Sequence, residues 1–261
     1  MQAKGSRGPW LWPLALAAVG LVLLLDNFLL LEGFNPARLW PLLLVVIGAQ
    51  ILLRGDLLPD ADSKTFGVTR GSVEAATLDI SAGPIDVQAR ALQREGRLIA
   101  GQYAGQSRPH MSVNGTRAYV RMDRSAVPWL SFADWEMGLA RDLPWQIFVS
   151  THFGQVNFDL SGLIVEEAVI GTGLGDIRLV CPQESLGPLR LRSAFGAVQV
   201  ITPHGCRAVV HARRSRFFRV SADPNRYAEV EPGVFVAHGA DDSAPLVEVF
   251  AQSTFGDAYL A

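Results

Sequence analysis

The chain has 261 residues, 49% of them hydrophobic, and a formal net charge of -2 at pH 7. The near-neutral charge excludes nucleic acid as a bulk electrostatic partner, and the hydrophobic share is high for a soluble domain. The two cysteines, Cys181 and Cys206, do not share the repeat spacing described below and fit buried or free thiols of a reducing compartment rather than a disulfide.

The hydrophobic excess sits at the N-terminus. Lys4 and Arg7 precede an apolar run from Trp10 to Leu31, and a second run extends from Leu39 to Leu53. No small-residue cleavage site follows the first run, so the pair predicts a two-helix transmembrane hairpin, with spans at about 10–31 and 38–54, rather than a signal peptide. Trp10, Trp12 and Trp40 serve as interfacial anchors. Lys4, Arg7 and Arg54 flank the terminal side against Arg38 in the connecting loop. The positive-inside rule therefore puts the N-terminus and the C-terminal domain of this multi-pass cell-membrane protein in the cytoplasm. Asp26 and Asn27 interrupt the first span, where they either associate helices or lie close to the far headgroups. Residues 55–65, carrying Asp56, Pro59, Asp60 and Asp62, read as a linker.

Residues 66–261 predict an all-β domain. LDISAGPIDV, from Leu78 to Val87, places Leu78 and Ile80 before Gly83 and places Ile85 and Val87 after it, as an early copy of a glycine-turn unit. Strands follow from Arg97 to Met122, with a hairpin turn at Asn114-Gly115. Trp129, Phe132, Trp135, Trp145 and Phe148 then form an aromatic passage with two readings. Trp129, Trp135 and Trp145 are either a binding ledge for a partner or lipid, or part of a capping strand pair with its rings on the core.

From His152 onward the chain repeats. Gly154, Gly175 and Gly196 recur every 21 residues, as do Pro182, Pro203 and Pro224. In that register Ala168, Leu189 and Val210 align, as do Ile170, Leu191 and Ala212, with Ile177 over Val198 and Leu179 over Val200. Such period-two apolar ladders, broken by glycine and closed by proline, predict a single-stranded β-solenoid with Leu191 and Val200 inward and Arg190 and Gln199 outward. VFAQSTFGDAYL at the C-terminus repeats the Gly196 unit, with Val249, Ala251, Phe255 and Gly256 standing for Leu189, Leu191, Phe195 and Gly196. The same register puts Phe217 in a glycine slot, so that coil is expected to bulge.

Little in the domain reads as chemistry. GTGLGD, Gly171 to Asp176, runs into a strand instead of opening a helix, which makes it a repeat turn and not a dinucleotide loop. His204 and Cys206 fall short of the ligand number zinc needs, and no nucleophile elbow occurs. Asp86, Asp176 and Asp257 follow turns, where carboxylates bond backbone. No catalytic residue, metal or cofactor is expected. One candidate interaction patch stands out, made of Arg207, Arg213, Arg214, Arg216, Phe217, Phe218 and Arg219. Such interleaving of arginine and aromatic residues can serve nucleic acid, equally faces anionic headgroups or an acidic protein, and is otherwise a solvated face.

The stretch from Val19 to Leu53, VGLVLLLDNFLLLEGFNPARLWPLLLVVIGAQILL, resembles the LiaI/LiaF-like transmembrane region. LPWQIFVSTHFGQVNFDLSGLIVEEAVIGTGLGDIRLVCP, from Leu143 to Pro182, resembles the toastrack domain of LiaF-type proteins. The resemblance implies a non-enzymatic bacterial membrane scaffold that restrains envelope-stress signalling through a sensor histidine kinase. Its partners would be the bilayer and that kinase, with a homo-oligomer as a further option and no nucleic acid. The alternative is a bactofilin-type polymer, which stacks coil on coil and needs open ends.

Overall fold

The computed structural model describes residues 63–93, 95–104, 108–124, 134–239 and 244–261, all within the compact unit Asp56–Ala261. The predicted hairpin, with Asp26 and Asn27, lies outside the described residues, as does Trp129. In chain order the strands are β1 (Ser63–Thr69), β2 (Ala75–Pro84), β3 (Asp86–Ala91), β4 (Arg97–Ala104), β5 (His110–Asn114), β6 (Arg117–Arg124), β7 (Asp134–Leu139), β8 (Pro144–Phe153), β9 (Val156–Asp159) and β10 (Ile164–Leu174). They continue with β11 (Ile177–Val180), β12 (Glu184–Ser185), β13 (Leu189–Phe195), β14 (Val198–Ile201), β15 (Arg207–His211), β16 (Phe218–Ala222), β17 (Tyr227–Glu231), β18 (Val234–Ala237) and β19 (Leu246–Leu260).

These strands build a β-solenoid-like body of two facing sheets. Each central coil runs up one sheet, bends, and continues into the other, as β8 bends into β9 and β10 into β11. Parallel pairing stacks the coils at the predicted interval, with Ile147 beside Ala168, Ala168 beside Leu189, and Ile177 between Val156 and Val198. The inward positions form continuous columns. Leu78, Ile147, Ala168, Leu189, Val249 and Val210 follow one another across the sheet, each fully buried. Burying such columns from two sheets supplies the hydrophobic drive, and the parallel ladder fixes the register, since a one-residue slip would turn every column to solvent.

The coil order departs from the sequence order at both ends. The coil β2–β3 stacks on β8–β9, while β6–β7 arrives later in the chain and packs against its other side. At the C-terminal end Val210 does not follow Leu189 directly. β19 lies between them, pairing with β13 and β14 on one side and with β15 and β16 on the other. The antiparallel pair β17–β18 turns the chain back so that β19 can enter this gap. Val249 and Ala251 thus occupy the positions the terminal repeat predicts, with Leu189 beside Val249 and Phe195 beside Phe255.

The bends explain the glycine spacing. Gly154, Gly175, Gly196 and Gly256 all have positive φ, and a Cβ on Gly175 would stand 1.9 Å from the Gly154 carbonyl oxygen. The same collision recurs at Gly196 and Gly256, so the interior of the stack admits only glycine. Two expectations shift here. In the first copy the slot below Gly154 belongs to Ile85, not Gly83, because Ile85 N–H donates to the Phe153 carbonyl and Pro84 pairs with Phe153. In the last coil the slot belongs to Phe218, not Phe217, because Phe218 pairs with Gly256. His211 beside Phe250 and Phe218 beside Gly256 differ by one residue in register, so the coil does bulge. A bulge breaks its ladder locally and is accommodated at a sheet edge, and β16 is such an edge.

Candidate interaction surface

The arginine cluster does not form one patch. Arg207 starts β15, a strand's length from the bend, while Arg213, Arg214 and Arg216 lie in the bulged bend and Arg219 lies on β16. Phe218 is buried and faces the core, so only Phe217 of the pair meets solvent. Arg214 is 3.0 Å from Glu229, whose carboxyl is held below its usual range, first by the Gly233 N–H it accepts and then by Arg214. Arg219 pairs with Asp257 at 3.4 Å, and the Arg216 guanidinium stands over the Phe217 ring. Among the described residues Arg192 and Arg213 have no ion-pair partner. A groove of about 820 Å³ joins these groups, and Arg190, Arg192, Arg213, Arg214 and the His211–Phe250 stack line it without any carboxylate side chain. Arg190 and Arg214 are paired with Glu167 and Glu229, which leaves Arg192 and Arg213 as the groove's cations without an ion-pair partner among the described residues.

The tryptophans are interior. Trp135 and Trp145 are fully buried, and Trp145 donates its indole N–H to the Ala140 carbonyl at 2.8 Å. Neither can serve as a ledge for a partner or lipid.

Of the three turn carboxylates Asp86 and Asp176 bond backbone as expected, whereas Asp257 accepts from the Tyr259 hydroxyl and pairs with Arg219. Asp86 accepts from the Gln155 N–H at 2.6 Å and Asp176 from the Ala197 N–H at 2.7 Å, each stitching a bend to the next coil. Thr172, Ser193 and Ser253 add a second row of hydroxyls, which donate to the carbonyls of Gly154, Gly175 and Gly196. Beneath the C-terminal end Thr202, Tyr227, Cys181 and Cys206 form a buried polar group, with Thr202 Oγ1 2.5 Å from the Tyr227 hydroxyl. Burial pushes both the Cys181 thiol and the Tyr227 hydroxyl up to about 12. A thiol held neutral in that way is a poor nucleophile and metal ligand. Among the described residues no group of three or more His, Cys, Asp or Glu could hold a metal ion.

One surface escaped the sequence reading. The residue before each bend slot is large, apolar and outward-facing: Phe153 is 49% exposed, Leu174 46%, Phe195 50%, Phe255 40% and Phe217 55%. Leu174 pairs in register with both Phe153 and Phe195, the Phe195 and Phe255 rings stack at 4.9 Å and 5°, and Phe217 leans on Phe255 at 5.0 Å. Its signal in the sequence is the recurring Phe-Gly and Leu-Gly dipeptides, which set an apolar residue beside each stacked glycine.

Residues 11–70 match the LiaF transmembrane domain. No curated protein matches the sequence. The crystal structure of a candidate cell adhesion protein from Clostridium sporogenes is similar at a TM-score of 0.66 and 15% identity, over 76% of this chain and 98% of that one. A candidate adhesin from Bacteroides fragilis reaches a TM-score of only 0.32 at 9% identity, over 78% of this chain and 99% of that one. The first likeness identifies the β fold and no activity.

Proposed function

We propose that the chain is a non-enzymatic, membrane-anchored regulatory scaffold of LiaF type, which acts by protein contact on a sensor histidine kinase in the same membrane and responds to envelope stress. The observation that supports this reading is the LiaF transmembrane match at residues 11–70, leading into a β domain in which Asp86 and Asp176 are engaged by backbone N–H groups and Asp257 by Arg219. The adhesion in the neighbour's name concerns that protein, and at 15% identity only the fold carries across. A bactofilin-type polymer gains no support from the coil ends. Antiparallel strands β1 and β4 cover one sheet of the first coil, β5 covers the other, and β17 with β18 covers one sheet of the last.

The test is functional. Deleting the gene should raise phosphorylation of the partner's response regulator in unstressed cells, and adding the full chain to the kinase in proteoliposomes should slow autophosphorylation. Unchanged phosphorylation in both settings would refute the reading.

A further inference from the structure

The ladder beside the bends is an unbroken apolar row on six successive coils: Pro84, Phe153, Leu174, Phe195, Phe255 and Phe217. Stacking between neighbouring coils covers ring faces, but it does not require every coil to present an apolar residue there. The five large side chains, each about half exposed, show solvent roughly 500 Å² of apolar surface if an aromatic side chain carries about 200 Å². That is about the size of the largest apolar patch on a typical monomer, and such patches are often functional.

The charges beside the row say what covers it. At the N-terminal end Asp86 and Asp134 sit side by side on neighbouring strands. At the C-terminal end stand the exposed Arg213, Arg216 and Arg219, of which Arg219 is already paired with Asp257, so the excess positive charge there is that of Arg213 and Arg216. Asp176 flanks the middle of the row beside Leu174, and Asp257 pairs with Arg219 near the basic end, a placement that disfavours an anionic bilayer lying along the whole length. A row acidic at one end and basic at the other complements a second copy of itself turned end for end.

We infer that the row is the contact of a homodimer in which two copies pack stripe on stripe about a two-fold axis, with their solenoid axes antiparallel. The axis passes between Leu174 and Phe195. Leu174 then meets the other copy's Phe195, Phe153 meets Phe255, Pro84 meets Phe217, and the Asp86–Asp134 end faces the end that carries Arg213, Arg216 and the Arg219–Asp257 pair. Such an isologous contact is self-complementary and closed, so it gives a dimer rather than a filament. The apolar row supplies most of the roughly 800 Å² per partner of a standard interface, and the charged ends complete it. Membrane attachment, implied by the match at residues 11–70, confines both copies to two dimensions and raises their effective concentration.

Cysteine crosslinking of the full chain in its native membrane tests the arrangement, because the native thiols Cys181 and Cys206 are both buried. With coils about 4.8 Å apart, Leu174 and Phe195 lie within half a coil of the axis, whereas the two Phe217 residues are about 24 Å apart. A short bis-maleimide should therefore dimerise Leu174→Cys and Phe195→Cys but not Phe217→Cys. Phe195→Asp should abolish the dimer while leaving the melting temperature near that of the parent. Equal crosslinking at all three positions, or at none, overturns the antiparallel dimer. So does quenching of a fluorophore on Leu174→Cys by brominated lipid, which would make the row a membrane-inserted face. A kinase effect without these crosslinks would leave the regulatory role standing and remove the dimer.

Discussion

Gly171 lies within β10 and Gly175 in the bend that follows it, and the two should respond in opposite ways to a methyl group. A Cβ at Gly175 would meet the Gly154 carbonyl oxygen at 1.9 Å with φ at +148°, whereas at Gly171 the nearest atom is 3.7 Å away. Gly175→Ala should cost more than about 3 kcal/mol, lowering the melting temperature by roughly 10 °C, and Gly171→Ala should leave it nearly unchanged. Equal melting temperatures would contradict the stacked bend. The buried thiol and hydroxyl beneath the C-terminal end give a second residue-scale expectation. Cys181 and Tyr227 ionise near 12 in the folded chain and at about 8.5 and 10 when unfolded. Above pH 8.5 the unfolded state sheds protons that the folded state keeps, so stability is complete below that pH and falls progressively toward pH 12. Urea midpoints should hold between pH 7 and 8 and decline from about pH 9, with a shallower decline in Tyr227→Phe. A flat profile to pH 11 would contradict their burial. The sequence revealed the glycine stack, but it could not separate Phe217 from Phe218 in the last slot, because a bulge adds a residue without leaving a periodic trace.

At the scale of the element, inward and outward faces were legible because a parallel ladder repeats the period-two alternation coil after coil. Leu191 is fully buried, while Arg190 is exposed and pairs with Glu167 at 3.0 Å. Leu191→Asp should prevent folding by burying an unpaired charge, and Arg190→Ala should shift the melting temperature by no more than a few degrees. Similar losses in both would refute the register. The coil order was not legible. A fixed repeat reveals neighbours only while the chain winds without interruption, and β6–β7 and β19 return after excursions whose length carries no such signal. That insertion makes the last strand the centre of a sheet rather than a fraying end, since β13, β14, β15 and β16 all pair with it. Removing residues 246–261 should therefore expose the amides of β13 to β16 to hydrogen exchange together. Loss of protection confined to β15 and β16 would show that the C-terminal coils depend on β19 less than their pairing implies.

For the whole molecule, the question is on which side of the membrane the β domain works, since a kinase restrained from within and one restrained from outside present different surfaces. The charge asymmetry of Lys4, Arg7 and Arg54 against Arg38 predicts the cytoplasm, and of these four the LiaF transmembrane match covers Arg38 and Arg54 alone. The two native thiols of the domain are free and buried, so a cysteine introduced at the surface can report the side without competition from them. Ser112 on β5 is exposed, which makes it a suitable reporter. A membrane-impermeant maleimide should leave Ser112→Cys unlabelled in intact cells and label it once the membrane is permeabilised, with the parent chain unlabelled in both. Labelling of Ser112→Cys before permeabilisation would place the domain outside and the arginine-lined groove with it, and a contact with a kinase's cytoplasmic portion would then be ruled out.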